Sequence, residues 1–329
     1  MEFFRSPNVN WLGWKWYFLT FSLIFSVAGI AKMSYNWVHT VGGLHSPVPL
    51  GVDFRGGTEV TVQFHNRPDI GAIRAAIDAA GYNDAKIQSM GGEGNSSQVL
   101  ISLPERHNET NLDVDRQAVI TTLEQHYGAN TFDPGKDVQV AVVGPTVGRQ
   151  LQDKAIQATL LSMAGMLVYL WFRFQLIYGV AAVVACFHDT LITVGFFALT
   201  GREISLTVIA AILTLVGYSM NDTIVVFDRI RENLRLSRRE SLPDVVNRSI
   251  NQTLSRTVLT SGLTFLTVLS LYVFGGQVLR GFSFALVIGI LIGTYSSIAI
   301  AAPMLVAWQE WRASRGKATV LPAARRART

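Results

Sequence analysis

Six apolar runs, each about long enough to cross a bilayer, decide what this chain of 329 residues can fold into. A helix needs roughly 20 apolar residues to span the hydrocarbon core. No water reaches that core, so every backbone group must be satisfied inside the segment, and each run must be a helix. By length the spans fall at about Trp16–Met33, Ala155–Phe172, Leu176–Leu199, Ile204–Phe227, Thr257–Phe274 and Phe282–Trp308. The first is the shortest, and a signal peptide could imitate it. It lacks a small-x-small cleavage site, and Trp11, Trp14, Trp16 and Tyr17 crowd its start, so it reads as a retained anchor. Only 16% of the chain is charged, against about a quarter in a soluble domain. The deficit is concentrated from Ala155 onward. Residues 35–154 have the composition of ordinary soluble protein.

Charge sets the orientation. Arg5 and Lys15 precede the first span, and Arg173 separates the second and third. Arg229, Arg231, Arg235, Arg238, Arg239, Arg248 and Arg256 fill the connection between the fourth and fifth spans. Arg312, Arg315, Lys317, Arg325, Arg326 and Arg328 follow the sixth. The opposite connections are short and nearly uncharged, so the positive-inside bias predicts both termini in the cytoplasm. The soluble stretch then lies outside, with 14 acids against 9 bases. The overall charge of +5 comes from the cytoplasmic segments and reports topology, not nucleic-acid binding. The predicted organisation is 1–34, cytoplasmic start and first span; 35–154, extracytoplasmic domain; 155–311, five further spans; 312–329, basic tail. Within the third part, 228–255 alternates arginines with acids and apolar residues and reads as an amphipathic helix at the cytoplasmic surface.

Periodicity in the outer domain gives a strand at Val52–Phe64 and a helix at Asp69–Ala80 with Ile70, Ile73 and Ile77 on one stripe. Strands at Ala85–Met90 and Gln98–Leu103 flank a glycine-rich hairpin loop, Gly91–Asn95. A second helix at Asn111–Tyr127 and a last strand at Val138–Val143 complete βαββαβ, the ferredoxin-like order of an α+β domain. His65, His107 and His126 lack metal-ligand spacing and read as solvated or capping residues. Asp53 and Arg55, beside Gly56-Gly57, read as a strand-entry feature near the membrane. Cys186 is the single cysteine, so no disulfide forms, and inside the third span it reads as a small buried filler.

Ionisable groups inside a span cost several kcal/mol and are functional candidates for that reason. Asp222, with Asn221 before it, interrupts the fourth span about seven residues from Arg229. His188-Asp189 lie near the middle of the third span. Arg256 opens a stripe on the fifth with Thr260, Thr264 and Thr267. Those hydroxyls can hold water along the bundle or simply satisfy backbone carbonyls. The fourth and fifth spans are consecutive and antiparallel, which lets Asp222 and Arg256 meet. A carboxyl group removed from water loads a proton more readily, and a nearby arginine opposes this. Asp222 and Arg256 are therefore the proton-pathway candidates, with a static ion pair as the alternative. His188, Asp189, Asn221, Thr260 and Thr264 are candidates for either a relay or a structural polar set. Gly289-x-x-x-Gly293 reads as a helix-packing contact.

Four stretches carry a resemblance: Gly51–Thr58, Phe187-His188-Asp189, Gly217–Asn233 and Ile250–Thr257. In them the chain resembles the SecD/SecF family of protein-export membrane proteins, on its SecF side. The resemblance implies half of a resistance-nodulation-division bundle, driven by the proton gradient and holding no other cofactor. It implies a bacterial cytoplasmic-membrane location and a separate SecD-like partner. A SecY-type translocon, a YajC-like accessory protein and a translocating unfolded polypeptide would complete the assembly. The family's proton-pathway aspartate and arginine fall on Asp222 and Arg256. The competing readings are a small-molecule efflux subunit of the same superfamily and a non-transporting translocon scaffold. An outer domain of about a hundred residues leaves little room for an efflux cleft. With no nucleophile–base or metal set in the sequence, an enzyme is not the reading.

Overall fold

The structure is a computed structural model that describes residues 7–39, 45–83, 85–89, 97–104, 112–128, 131–174, 176–236 and 240–315. Helix α1, Lys15–Val38, rises through the first apolar run and leads into the outer domain. There a single helical turn, α2 (Val52–Arg55), precedes β1 (Gly57–Gln63), α3 (Ile70–Ala79), β2 (Lys86–Ser89), β3 (Gln98–Pro104), α4 (Leu112–Tyr127) and β4 (Val138–Val143). The strands form one antiparallel sheet in the order β2-β3-β1-β4. With a helix after β1 and another after β3, this is the ferredoxin-like arrangement expected from the sequence. Asp69 caps α3 by accepting from the Gly71 amide at 2.8 Å. The stripe then brings Ile73 and Ile77 against Val60, Val62, Val99 and Ile101 in a core of fully buried residues. The hairpin loop 91–95 and His107 lie outside the described residues.

One element differs from the expected order. The strand expected over Val52–Phe64 begins only at Gly57, because Val52–Arg55 is helical. Gly56 and Gly57, at φ of 82° and 138°, turn the chain from that helix into β1. A side chain would resist both conformations. The turn has a structural use. Asp53 Oδ2 accepts from the Leu206 amide at 2.9 Å, satisfying a free donor at the start of a membrane helix, α7 (Leu206–Leu236). Gly51 N donates to Ile204 O and Ile204 N to Pro49 O, both at 2.9 Å, so this strip also pairs with the connection before α7. Lys86 on β2 adds an ion pair to Glu203 in the same connection. Glu59 shares its cross-strand row with Ser102 and Lys86. Burial, then Asp53 and Glu203, push its carboxyl above the usual range, and a hydrogen bond from Ser102 opposes them.

The remaining membrane helices are α5 (Pro145–Arg173), α6 (Leu176–Thr200), α8 (Leu242–Phe274) and α9 (Gly276–Ser296). A π-turn at Ser297–Ala301 joins α9 to α10 (Ala302–Ser314). Six helices are long and apolar enough to cross a membrane among the described residues, with α9 and α10 counted as one. Pro303 explains the π-turn: it lacks an N–H and would crowd the carbonyl four residues earlier, and the wider turn relieves this. Among the described residues, 228–255 form no separate surface helix. Instead α7 runs on to Leu236 and α8 starts at Leu242, where Ser241 caps it and Pro243 occupies its first turn. Helical hydrogen bonding, once established in the spans, propagates into the amphipathic sequence.

Helices α6, α7 and α9 make the centre of the bundle, while α1, α5 and α8 turn most of their surface outward. At Gly289 a Cβ would stand 2.6 Å from both methyls of Leu215, itself buried on α7. Gly289→Val should therefore force α7 and α9 apart and lower stability by about 1–3 kcal/mol. Thermal unfolding in detergent would measure it, and an unchanged melting temperature would mean that the contact is loose.

Candidate functional site

Two carboxylates are buried in the bundle, one on α7 and one on α6. Asp222, 2% exposed, is on α7 itself. Ser261 of α8 donates to its Oδ2 at 2.7 Å, the one hydrogen bond of this side chain among the described residues. Ser261 is the fifth residue of the apolar run of α8, roughly 6 Å from its start at 1.5 Å per residue. Asp222 thus sits inside the membrane portion of the bundle, near its arginine-rich end.

Arg256 precedes Ser261, the partner of Asp222, by five residues on α8. It forms no ion pair within 4.0 Å of any described carboxylate. The direct pair expected from the sequence is therefore absent in this conformation. Arg256 is exposed on the outward face of α8 and borders two cavities, of about 1130 and 560 Å³. Asn221, the neighbour of Asp222, faces the smaller one. Thr260, Thr264 and Thr267 donate to the carbonyls of Arg256, Thr260 and Leu263 at 2.9–3.0 Å. Their protons are thus engaged within the helix, while their lone pairs stay open.

The second carboxylate, Asp189, is fully buried on α6. Its Oδ2 accepts from Ser219 of α7 and Ser296 of α9, both at 2.6 Å. His188 Nδ1 is 3.0 Å from its Oδ1, and His188 Nε2 meets Ser22 of α1. Four spans thus converge on one dyad. Ser219 and Asp222 stand three residues apart on α7, so successive turns of one helix serve the two carboxylates.

Sequence reasoning missed the four serines. Each lies in an apolar run, and nothing local distinguishes a serine that donates to a carboxylate from one that bonds its own helix. Ser261 also lies off the Arg256–Thr260–Thr264 stripe. The other singled-out residues have plainer roles. Cys186 is buried, with Sγ 3.9 Å from Val216 O. His65 Nε2 stands 3.1 Å from Asp137 Oδ2 at the surface of the outer domain. His126 packs edge-on to Tyr127. Gly293 lets Ser219 and Asp189 Oδ2 approach within 3.2 and 3.7 Å of where its Cβ would be. Among the described residues no group of three or more His, Cys, Asp or Glu could hold a metal ion.

Comparison with known proteins bears on both regions. Residues 124–311 match the family model described as protein export membrane protein SecD/SecF, C-terminal, and residues 43–66 match the SecD/SecF GG motif. The chain is 52% identical to the protein translocase subunit SecF of Koribacter versatilis, over 97% of this chain and 96% of that one. It is 41% identical to the SecF of Calditerrivibrio nitroreducens, over 92% and 94%. Among solved structures it is similar to SecDF from Thermus thermophilus, described as a translocon-associated membrane protein. The TM-score is 0.74 at 35% identity, covering 93% of this chain and 39% of that one. A second SecDF structure, in a super-membrane-facing form, gives a TM-score of 0.68 at 34% identity. The chain spans about two-fifths of either SecDF polypeptide.

Proposed function

The chain belongs to the SecD/SecF family of protein export membrane proteins, as a SecF subunit, and from that premise we propose that it uses the proton gradient to help draw polypeptides outward through a SecY-type translocon. A proton passing through the bundle changes the charge at Asp222. The bundle answers by shifting its helices, and the outer domain moves with them. The observation that carries this reading is a buried carboxylate, held by one hydroxyl, beside an arginine that no described carboxylate neutralises. Such a pair has two arrangements of similar cost, approached and apart, and protonation selects between them.

A SecD-like partner follows from the same arginine. Arg256 and Thr260 lie on the outward face of α8, at the rim of its apolar run. A cation facing hydrocarbon costs at least about 2.5 kcal/mol. A second half-bundle packed on this face would cover the arginine and leave Asp222 near the centre of the assembled complex. The exported chain, the translocon and a YajC-like accessory protein would be its further companions, in a bacterial cytoplasmic membrane.

The reading is tested in vesicles containing the SecD-like partner and the translocon. An imposed proton gradient should stimulate export, and a protonophore should remove the stimulation while ATP-driven export continues. Export indifferent to the gradient would rule the proposal out. Orientation has its own test. With both termini in the cytoplasm, a cysteine placed at Asn83 should react with an impermeant thiol reagent from outside. One at Leu236, at the exposed end of α7, should react only from inside. Reaction of both from one side would exclude this topology.

A further inference from the structure

The stretch ahead of α1 is tied to α8 by polar contacts that neither the packing of the spans nor the Asp222 site requires. Asn251 Oδ1 accepts from the Val9 amide at 3.3 Å and from the Trp11 indole at 2.9 Å, and Asn251 Nδ2 donates to Val9 O at 2.9 Å. One turn earlier, Asn247 Oδ1 accepts from the Leu12 amide at 3.0 Å and Asn247 Nδ2 donates to Asn10 Oδ1 at 2.9 Å. Asn10 Oδ1 also accepts from Gly13 N at 2.9 Å, which closes the turn into α1. The Trp11 ring stacks on Phe18, and Leu12 is buried in the bundle core. Residues 9–12 therefore cross two turns of α8 on one face, with their backbone read by two asparagine side chains.

We infer that residues 9–12 are a strap that positions α8, with Asn247 and Asn251 as the positioning residues for Arg256. Arg256 is five residues beyond Asn251, on the same helix, and both border the larger cavity with Asn10 and Ser255. The strap continues directly into α1, whose far end leads to the outer domain. Two elements that must move in concert are thus joined at the cytoplasmic side: the helix carrying the mobile cation and the helix entering the domain. Helix α8 packs on α9 and α7, and that packing alone would let it slide or rotate relative to α1. Five directional hydrogen bonds on two consecutive turns fix its register and rotation. The inference rests on the proton-coupling reading for its purpose, but not for its geometry.

The test uses the complete chain assembled with its SecD-like partner in vesicles. Asn251→Ala removes three of the strap's bonds and should lower gradient-driven export by about fivefold to tenfold, with co-purification of the partner unchanged. Asn251→Asp keeps the acceptor for Val9 N and Trp11 Nε1 but sets an oxygen against Val9 O, so it should recover part of the loss and not all of it. Gly13→Ala provides an independent route, because its Cβ would stand 2.8 Å from Asn10 Nδ2 and displace that side chain. A reporter cysteine at Ser255, beside Arg256, should react with an impermeant maleimide at a rate changed about threefold or more in both strap variants. That readout needs no proton flux, so it stands even if Asp222→Asn shows the coupling reading to be wrong. Unchanged labelling, or export within twofold of normal, in Asn251→Ala would overturn the strap's positioning role. Loss of the partner along with export would reduce it to a fold-stabilising contact and overturn it equally.

Discussion

Asp222→Asn is expected to abolish gradient-driven export while leaving the chain folded and bound to its partner. The substitution keeps the size of the side chain and its ability to accept the bond from Ser261 Oγ at 2.7 Å. What it removes is the capacity to gain and lose a proton. An elementary charge crossing the full field is worth about 2.3 kcal/mol per 100 mV. That is enough to bias an element whose two arrangements differ by a few kcal/mol, provided that some group in the membrane changes protonation. Arg256 cannot be that group, because a guanidinium stays charged. Its part is that of a movable counter-charge. Stimulation by the gradient should therefore fall at least about tenfold in Asp222→Asn vesicles, corresponding to the loss of about 1.4 kcal/mol of coupling. Arg256→Lys keeps the charge but not the planar fork, and it should impair coupling more than a count of charges suggests. If Asp222→Asn vesicles kept normal stimulation, Asp222 would be structural and His188-Asp189 would become the leading relay.

The sequence made the spans legible because lipid leaves an apolar run few alternatives to a helix. It also made the outer domain legible, since alternation and stripe periodicity survive wherever one face of an element is buried. What it hid had two physical causes. Val52–Arg55 looks extended by composition, and its helical turn exists to bring Asp53 to the amide of Leu206, more than a hundred and fifty residues away. No local signal encodes a cap supplied at that distance. The buried carboxylates were visible as misplaced charges, but their partners were not. A serine in a membrane helix usually bonds its own backbone, as Thr260 and Thr264 do. Only assembly of the bundle separates Ser219, Ser261 and Ser296 from that background. Burial cost singled out Asp222, Asp189 and Arg256; the structure buries the two carboxylates and leaves Arg256 exposed, and tertiary structure alone revealed which of them is tightly held. The same limit applies to Asn247 and Asn251, whose partners in residues 9–12 lie more than two hundred residues away in sequence.

Asp189 should behave in the opposite way to Asp222, and the difference follows from its partners. Ser219 and Ser296 both donate to Oδ2 at 2.6 Å, and the His188 ring meets Oδ1 at 3.0 Å. Asp189→Ala would strand these groups in a site from which water is excluded. Each donor left unsatisfied costs roughly 1–3 kcal/mol, so the total loss should reach about 3–5 kcal/mol. That is a large share of the stability of most domains, and the variant should unfold early or fail to accumulate. Asp189→Asn is different. Its carbonyl oxygen can receive both serines while its amide donates to His188 Nδ1. The imidazole then carries its proton on Nε2 and donates it to Ser22, so every member of the network keeps a partner. The expected cost is below about 1 kcal/mol, because only the charge has gone. Thermal unfolding of the two variants in detergent, alongside Asp222→Asn, measures this directly. Gradient-driven export supplies the second axis: Asp189→Asn should retain it, since a clasp that pins α1, α6, α7 and α9 in register needs hydrogen bonds and not titration. An Asp189→Asn protein with normal stability and no gradient-driven export would make the dyad a relay in its own right.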